Sequence, residues 1–303
     1  MRKSLALMWH DVRAYATGDA DVRAADWAAD PWRYPTDWSA LLPRVDEMFG
    51  PFDDAGLPLQ PAGGRHHHNP SRIAGWALLL WNARPEGWRE RFLAAARWFA
   101  EQPDGRFAYT FDAGPMRAPW LSCIGQGQGL SVLTRAAVAT RDDAWLDAAR
   151  RAVPVLGVPV AEGGLLDRLP DGSPFLEEYP GSYAHVLNGC LHALVGLDDL
   201  ARAGDDAGVA LRDAVLAATA ANVGRWDAGG WSTYDLGMRG RAPNLATLNY
   251  HRVHAIFLRY LAGRHGLALL AAAAERWEAG AARPAARGRA LLGKLRYRLA
   301  EGW

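Results

Sequence analysis

The stretch from Gly230 to His254 holds Tyr234, Asp235, Arg239, Arg241, Asn244, Tyr250, His251 and His254 around a Pro243 breaker. Phenols, imidazoles and guanidinium groups at this density point to the lining of a polar pocket, because burying them unpaired costs about 1–3 kcal/mol each. Tyr250 and His254 stand four residues apart on one helix face, with His251 one step round. A phenol titrates near 10, so proton chemistry at neutral pH demands cationic or hydrogen-bonding neighbours. Arg239, Arg241, His251 and His254 are the candidates by proximity.

Two further segments carry chemistry. In Phe175–His185, the adjacent carboxylates Glu177 and Glu178 stand beside Tyr179, ahead of a helix that begins near Val186. Taken alone, they are explained more simply as compensation of that helix's dipole. In Ser122–Gly129, three glycines alternate with Gln126 and Gln128, although each glycine disfavours a helix by ~1 kcal/mol. Approach of a ligand to the backbone and close helix packing account for them equally, and no phosphate-loop lysine follows. No metal site is expected. Consecutive His66, His67 and His68 point in different directions and are expected in a solvated loop, and His251 with His254 lacks a nearby third ligand.

These groups must be carried by helices and by the connections between them. Residues 1–65 contain Pro31, Pro35, Pro43, Pro51, Pro58 and Pro61 and are expected to form an irregular N-terminal segment packed on residues 66–303. Four helical pairs then follow: Arg72–Asn82 with Trp88–Phe99, Ser122–Thr140 with Trp145–Val153, Val186–Ala203 with Val209–Val223, and Thr247–Gly263 with Leu267–Trp277. In the third opener, Leu187, Leu191, Leu194, Leu197 and Leu200 keep a helical period. A hairpin cannot bury its own apolar face, so a repeated one predicts an all-α chain folded as an (α/α) toroid, with Arg283–Leu299 as a last amphipathic helix. The long connections at 102–119, which includes a strand-like Arg106–Phe111, and at 154–182 and 225–243 are expected to gather at one end as a cleft.

Lys+Arg 34 against Asp+Glu 33 leaves a formal charge of +1, without the basic surplus that a nucleic-acid or membrane-surface binder needs. Cys123 and Cys190 fit no metal or disulfide spacing and read as reduced core residues. No run approaches the ~18 apolar residues of a membrane span, and the basic start has too short an apolar run for a secretory leader, so a cytoplasmic protein is expected. Fourteen tryptophans suit either a carbohydrate-facing cleft or extra core mass.

Together these segments resemble the C-terminal domain of D-glucuronyl C5-epimerases, which act on heparan-type and related uronate polysaccharides. The likeness runs from about Asn69 to Tyr260. It rests on Pro119-Trp120 with Gln126-Gly127-Gln128, Glu177-Glu178-Tyr179-Pro180, Val186-Leu187-Asn188-Gly189 and Gly196-Leu197 with Asp199-Leu200. It continues through Thr233-Tyr234-Asp235-Leu236, Ala242-Pro243-Asn244-Leu245 and Tyr250-His251 with His254. The resemblance implies an (α/α) barrel, Tyr179, Tyr234 and Tyr250 as catalytic groups, and a sugar held by Gln126, Gln128, Glu178, Asn188, Asn244, His251 and His254. It also implies an arginine for the substrate carboxylate. Gly237-Met238 stand where the family continues Arg-His, so Arg239 or Arg241 must substitute. Only about 65 irregular residues precede the match, so the family's β-rich N-terminal region is expected to be missing. The implied activity is inversion of C5 in glucuronate units of a glycan by proton abstraction and redelivery. It needs no cofactor, and a homodimer is left open. A lyase or hydrolase on the same scaffold and a non-catalytic glycan binder are the rivals.

Overall fold

The computed structural model describes residues 12–182, 184–237 and 243–301. The chain is mainly α-helical. Among the described residues are nine longer helices: α1 (Pro70–Ala83), α2 (Trp88–Ala100), α3 (Cys123–Thr140), α4 (Ala144–Ala152), α5 (Leu187–Arg202), α6 (Val209–Asn222), α7 (Leu248–His265), α8 (Ala268–Ala282) and α9 (Pro284–Glu301). Their boundaries follow local signals. Asn69 caps α1 through its side chain, with Pro70 at the first helical position, and Thr247 caps α7 by accepting from the Tyr250 amide. Gly266, at φ 67°, lets α7 end in a left-handed turn.

The first helix of each pair packs against the next, α1 on α3, α3 on α5 and α5 on α7, while α2, α4, α6 and α8 each cover their own partner. The seam between α3 and α5 is the closest of these. A Cβ on Gly127 would come within 2.3 Å of Ala193, and one on Gly196 within 2.1 Å of the Gly127 carbonyl. Gly125 and Gly129 make the same kind of room for Tyr109 and Phe107. The glycines of Ser122–Gly129 therefore serve close packing, and the reading of a backbone open to ligand is set aside. Across the seam, Arg135 and Asp199 form a fully buried ion pair at 2.5 Å, with Ser131 donating to the same carboxylate at 2.7 Å.

The N-terminal segment is more ordered than its prolines suggest. A helical turn covers residues 12–17, and β1 (Arg23–Ala24) pairs with β2 (Thr36–Asp37). A hairpin of β3 (Leu59–Ala62) and β4 (Arg65–His68) takes up the three consecutive histidines expected in a loop. They pair because strand geometry gives each a different neighbour. His68 Nε2 lies 2.8 Å from Asp53 Oδ2, and His67 Nδ1 lies 3.1 Å from Thr110 Oγ1. Tyr34 then joins three openers at once. Its amide donates to Asn82 of α1, its hydroxyl meets His192 Nδ1 of α5 at 2.5 Å, and its ring packs edge-on to Phe257 of α7. The segment thus lies between α7 and α1, where a hairpin row leaves its ends open.

The third strand pair, β5 (Leu166–Arg168) with β6 (Pro174–Leu176), stiffens the connection ahead of α5. The strand-like Arg106–Phe111 contributes only a bridge from Tyr109 to Trp120. Both cysteines are free and buried, as core thiols. Among the described residues, no helix is long and apolar enough to cross a membrane.

Candidate active site

The connections preceding α3, α5 and α7 meet. The Glu177 carbonyl accepts from the Cys123 amide, the Tyr234 carbonyl from Leu187, and the Ala184 carbonyl from Leu236. The first turns of α3 and α5 are thereby laced to the two loops that bear Tyr179 and Tyr234, and those loops are laced to each other.

Glu177 organises the first loop. It is fully buried, and its carboxyl oxygens accept the amides of Glu178, Tyr179 and His185 at 3.1, 3.4 and 3.1 Å. Its role is to fold 177–185 into a tight bend, with His185 at a positive φ of 48°. Glu178 then turns toward the phenols. The Tyr234 hydroxyl donates to Glu178 Oε1 at 3.2 Å, and Tyr179 lies in reach of both Glu178 and Tyr234. Tyr250 closes the group, its ring 5.1 Å from that of Tyr234 and nearly perpendicular to it. All three phenols expected from sequence converge on one carboxyl. Gly189, in the first turn of α5, makes that seat, since a Cβ there would stand 2.8 Å from Glu178 Oε2.

The electrostatics follow from burial. Glu178 is 4% exposed, and desolvation pushes its carboxyl up to about 7 despite Tyr179, Tyr234, Asn188 and the Gly189 amide beside it. Oε2 has no well-formed hydrogen bond among the described residues, which is why desolvation prevails over those favourable neighbours. Tyr250 is 40% exposed, the most open of the three, yet the protein around its hydroxyl and the nearby Glu178 hold it up at about 12. The charge of Glu178 and desolvation together push Tyr179 far above the usual phenol range, and desolvation followed by Glu178 does the same to Tyr234. All three are protonated at rest.

The remaining sequence candidates fall into three groups. Asn188 and Asn244 border the phenols: Asn244 accepts the Tyr234 amide on its carbonyl at 2.7 Å and donates to Asp235 Oδ2 at 2.7 Å. Gln126, Gln128, His251 and His254 are buried apart from them. Gln126 donates to the Ala152 carbonyl and accepts from the Phe107 amide, and Gln128 reaches His192. His251 Nδ1 accepts from the Ser232 amide, and its other nitrogen donates to the Trp277 carbonyl. His254 Nδ1 shares the Ser232 hydroxyl. Desolvation lowers His251 to about 4 and His254 well below the usual imidazole range, so both are neutral and neither is the cation expected beside a phenol. Arg239 and Arg241 lie outside the described residues.

Lys294 of α9 is the residue that sequence reading missed. Its ammonium donates to Asn244 Oδ1 at 2.7 Å and sits 6.0 Å from the centre of the Tyr234 ring. One weak signal was available, for the chain has only two lysines, Lys3 and Lys294, among its 34 basic residues. On the other side, Trp120 stacks on Tyr109 at 4.1 Å and lies 6.1 Å from Tyr179. Beyond it opens a groove of about 590 Å³ lined by Gln102, Arg106, Pro119, Trp120 and Pro180 among others.

Residues 102–279 match the family described as D-glucuronyl C5-epimerase C-terminus. The chain is also similar to a D-glucuronyl C5-epimerase of Caenorhabditis elegans, at 31% identity over 220 residues, 64% of this chain and 35% of the relative. The match thus spans about a third of that relative's length. All three phenols, Glu178 and Gly189 lie inside the matched region, and Lys294 lies beyond it.

Proposed function

Because the chain belongs to the D-glucuronyl C5-epimerase family through its C-terminal domain, we propose that it inverts C5 of D-glucuronate units in a uronic-acid-containing glycan. The observation that carries this is the convergence of three phenols on the buried carboxyl of Glu178.

Inversion removes the C5 proton from one face of the sugar and returns a proton to the other. A phenol titrating at about 12 is ionised in only about one molecule in 100,000 at pH 7, too few for a free phenolate to serve as base. Glu178, poised at about 7, supplies the missing basicity. As the Tyr234 oxygen takes the C5 proton, the Tyr234 hydroxyl proton passes to Glu178 Oε1. The electron pair of the C–H bond moves into the enolate of the uronate carboxyl. Tyr250, with no carboxylate hydrogen bond among the described residues, gives its proton to the opposite face. The proton left on Glu178 then passes through Tyr179, which lies against Glu178, Tyr234 and Tyr250, to the Tyr250 oxygen, and this restores the starting protonation. The step balances in protons and transfers no electrons to an acceptor, because the carboxylate itself acidifies C5.

Asn188 and Asn244 hold the sugar beside the phenols, and the groove beyond Trp120 takes the neighbouring units of the chain. Gln126, Gln128, His251 and His254 support the site from behind. We read α1, α3, α5 and α7, with the N-terminal segment between α7 and α1, as an (α/α) toroid of four hairpins. Residues 66–303 form the catalytic unit in this reading, and residues 1–65 pack on it.

A lyase shares the first proton transfer and then expels the 4-O substituent. Incubation with a heparan-type glucuronate polymer in deuterated water separates the two. Deuterium at C5 without chain cleavage is the expected result, and accumulation of an unsaturated uronate overturns the epimerase reading.

A further inference from the structure

The enolate chemistry above needs a positive group at the substrate carboxylate, because a doubly charged intermediate is otherwise out of reach. The acid groups recorded beside the phenols, Glu178 and Asp235, are of the wrong sign. The histidines of the same stretch are buried, neutral and bound to Ser232. The geometry points to Lys294 as the group that receives the uronate carboxylate, an assignment that rests on the epimerase reading of this site.

Three observations support it. Lys294 is half-buried, its ammonium 2.7 Å from Asn244 Oδ1, and the Asn244 carbonyl holds the Tyr234 amide, so the cation is tied to the backbone of a reacting phenol. Helix α9 is itself fixed in place. Buried Arg287 donates to the carbonyls of Tyr15, Ala281 and Ala282 at 2.8, 2.9 and 3.0 Å. Six residues further along α9, Gly293 lies so close to Leu245 that a Cβ there would meet its Cδ1 at 2.5 Å. Leu245 follows Asn244 directly, so the packing that seats α9 also sets the reach of Lys294. A lysine in this position is a strongly hydrated point charge, suited to a carboxylate that must change its charge distribution during the reaction.

The bland alternative is that Lys294 only braces Asn244. Binding measurements on the full chain separate the two, using a glucuronate-containing oligosaccharide and its carboxyl-reduced counterpart with wild type, K294Q and K294R. Wild type is expected to prefer the uronate roughly ten- to hundredfold, the ratio for one charge-assisted hydrogen bond. K294Q should lose that preference while binding the reduced sugar as before. K294R, which keeps the charge, should retain most of it, and thermal melting checks that both variants fold. The KM for C5 exchange should rise in parallel with the uronate Kd. Undiminished uronate preference in folded K294Q overturns the assignment, and loss of the preference in R239Q or R241Q instead moves the role to the loop at 238–242. Should wild type exchange no deuterium at C5, the epimerase reading fails, while the paired affinities still decide whether Lys294 selects carboxylates.

Discussion

The Tyr234 hydroxyl donates to Glu178 Oε1 at 3.2 Å, joining a phenol from the loop before α7 to a buried carboxyl from the loop before α5. Neither group is a competent base alone at neutral pH, since the phenol holds its proton and the carboxyl is weakly basic in water. The pair is competent, because burial raises the carboxyl to about 7 and places it on the phenol's proton. Tyr234→Phe removes the shuttle and leaves the fold. Its C5 exchange rate should fall by about 10²- to 10⁴-fold, the usual contribution of positioned acid–base groups, with an unchanged melting temperature. Exchange at the wild-type rate would remove Tyr234 from the mechanism.

The dependence on pH follows from the same carboxyl. Exchange should rise with pH to a plateau, with an apparent midpoint near 7 as Glu178 loses its proton, and no falling limb is expected from Tyr250 below about 12. In Glu178→Gln the residual rate should be low and flat across that range. A wild-type midpoint near 4.5, the ordinary glutamate value, would show that Glu178 is not the group that titrates.

Stability should carry the matching signature. The folded state holds the Glu178 proton to about 7, whereas the unfolded chain releases it near 4.5. Between those values the folded state binds more protons, so this carboxyl's contribution is fully present below about 4.5 and is lost as pH rises to about 7. The loss is on the order of 3 kcal/mol. Buried His251 and His254 act in the opposite sense, their depressed values costing stability as pH falls below 6.5. The difference between wild type and Glu178→Gln isolates the carboxyl, and denaturant unfolding should show it moving in favour of the glutamine variant from pH 5 to 7.5.

Gly189 should be irreplaceable for a steric reason. An alanine methyl would stand 2.7 Å from Glu178 Cβ and 3.0 Å from Cys123 Sγ, inside a packed core that cannot yield. Overpacking of this kind costs about 1–3 kcal/mol. Gly189→Ala should therefore lower the melting temperature and, by moving Glu178 off Tyr234, lose more activity than its stability loss explains. Full activity in this variant would mean that the seat tolerates displacement.

The Arg135–Asp199 pair makes a prediction confined to stability. Both side chains are fully buried, so Arg135→Met leaves Asp199, among the described residues, with only the longer Arg202 contact at 3.3 Å and the Ser131 hydroxyl, and should cost up to about 3–5 kcal/mol. The melting point should fall by roughly 10 °C. KM should not move in the fraction that stays folded. A melting point within two degrees of wild type would indicate that the pair is solvated or dispensable.

The helical hairpins were legible because periodicity and caps are local. The expected Val186–Ala203 and Val209–Val223 differ from α5 and α6 by one residue at each end where they differ. Tyr234 and Tyr250 stood out because loop polarity between apolar helices marks a pocket, whereas Tyr179 and Glu178, read alone as dipole compensation, were singled out by the family resemblance. What stayed hidden was set by distant contacts. The glycines at 125, 127 and 129 admit ligand or helix equally until Ala193 and Phe107 are seen against them. His251 reads from its neighbours in sequence as a cationic or hydrogen-bonding partner for a phenol, yet Trp231 stacks on it at 3.9 Å and the Trp277 carbonyl accepts its N–H, so it is a buried neutral strut. Lys294 stands 44 residues from Tyr250 on a helix whose pattern is merely amphipathic, and only the docking of α9 brings it to Asn244.

The central claim is that C5 is inverted, and the most direct measurement is the configuration of the product approached from both sides. A polymer of pure glucuronate and its C5-inverted counterpart are each incubated with the full chain, and the ratio of the two epimers is read by NMR over time. Both polymers should converge on one ratio with the chain length unchanged, and Tyr250→Phe should slow both approaches together. Retention of the starting configuration in both polymers, under conditions where the oligosaccharide binds, would contradict the account.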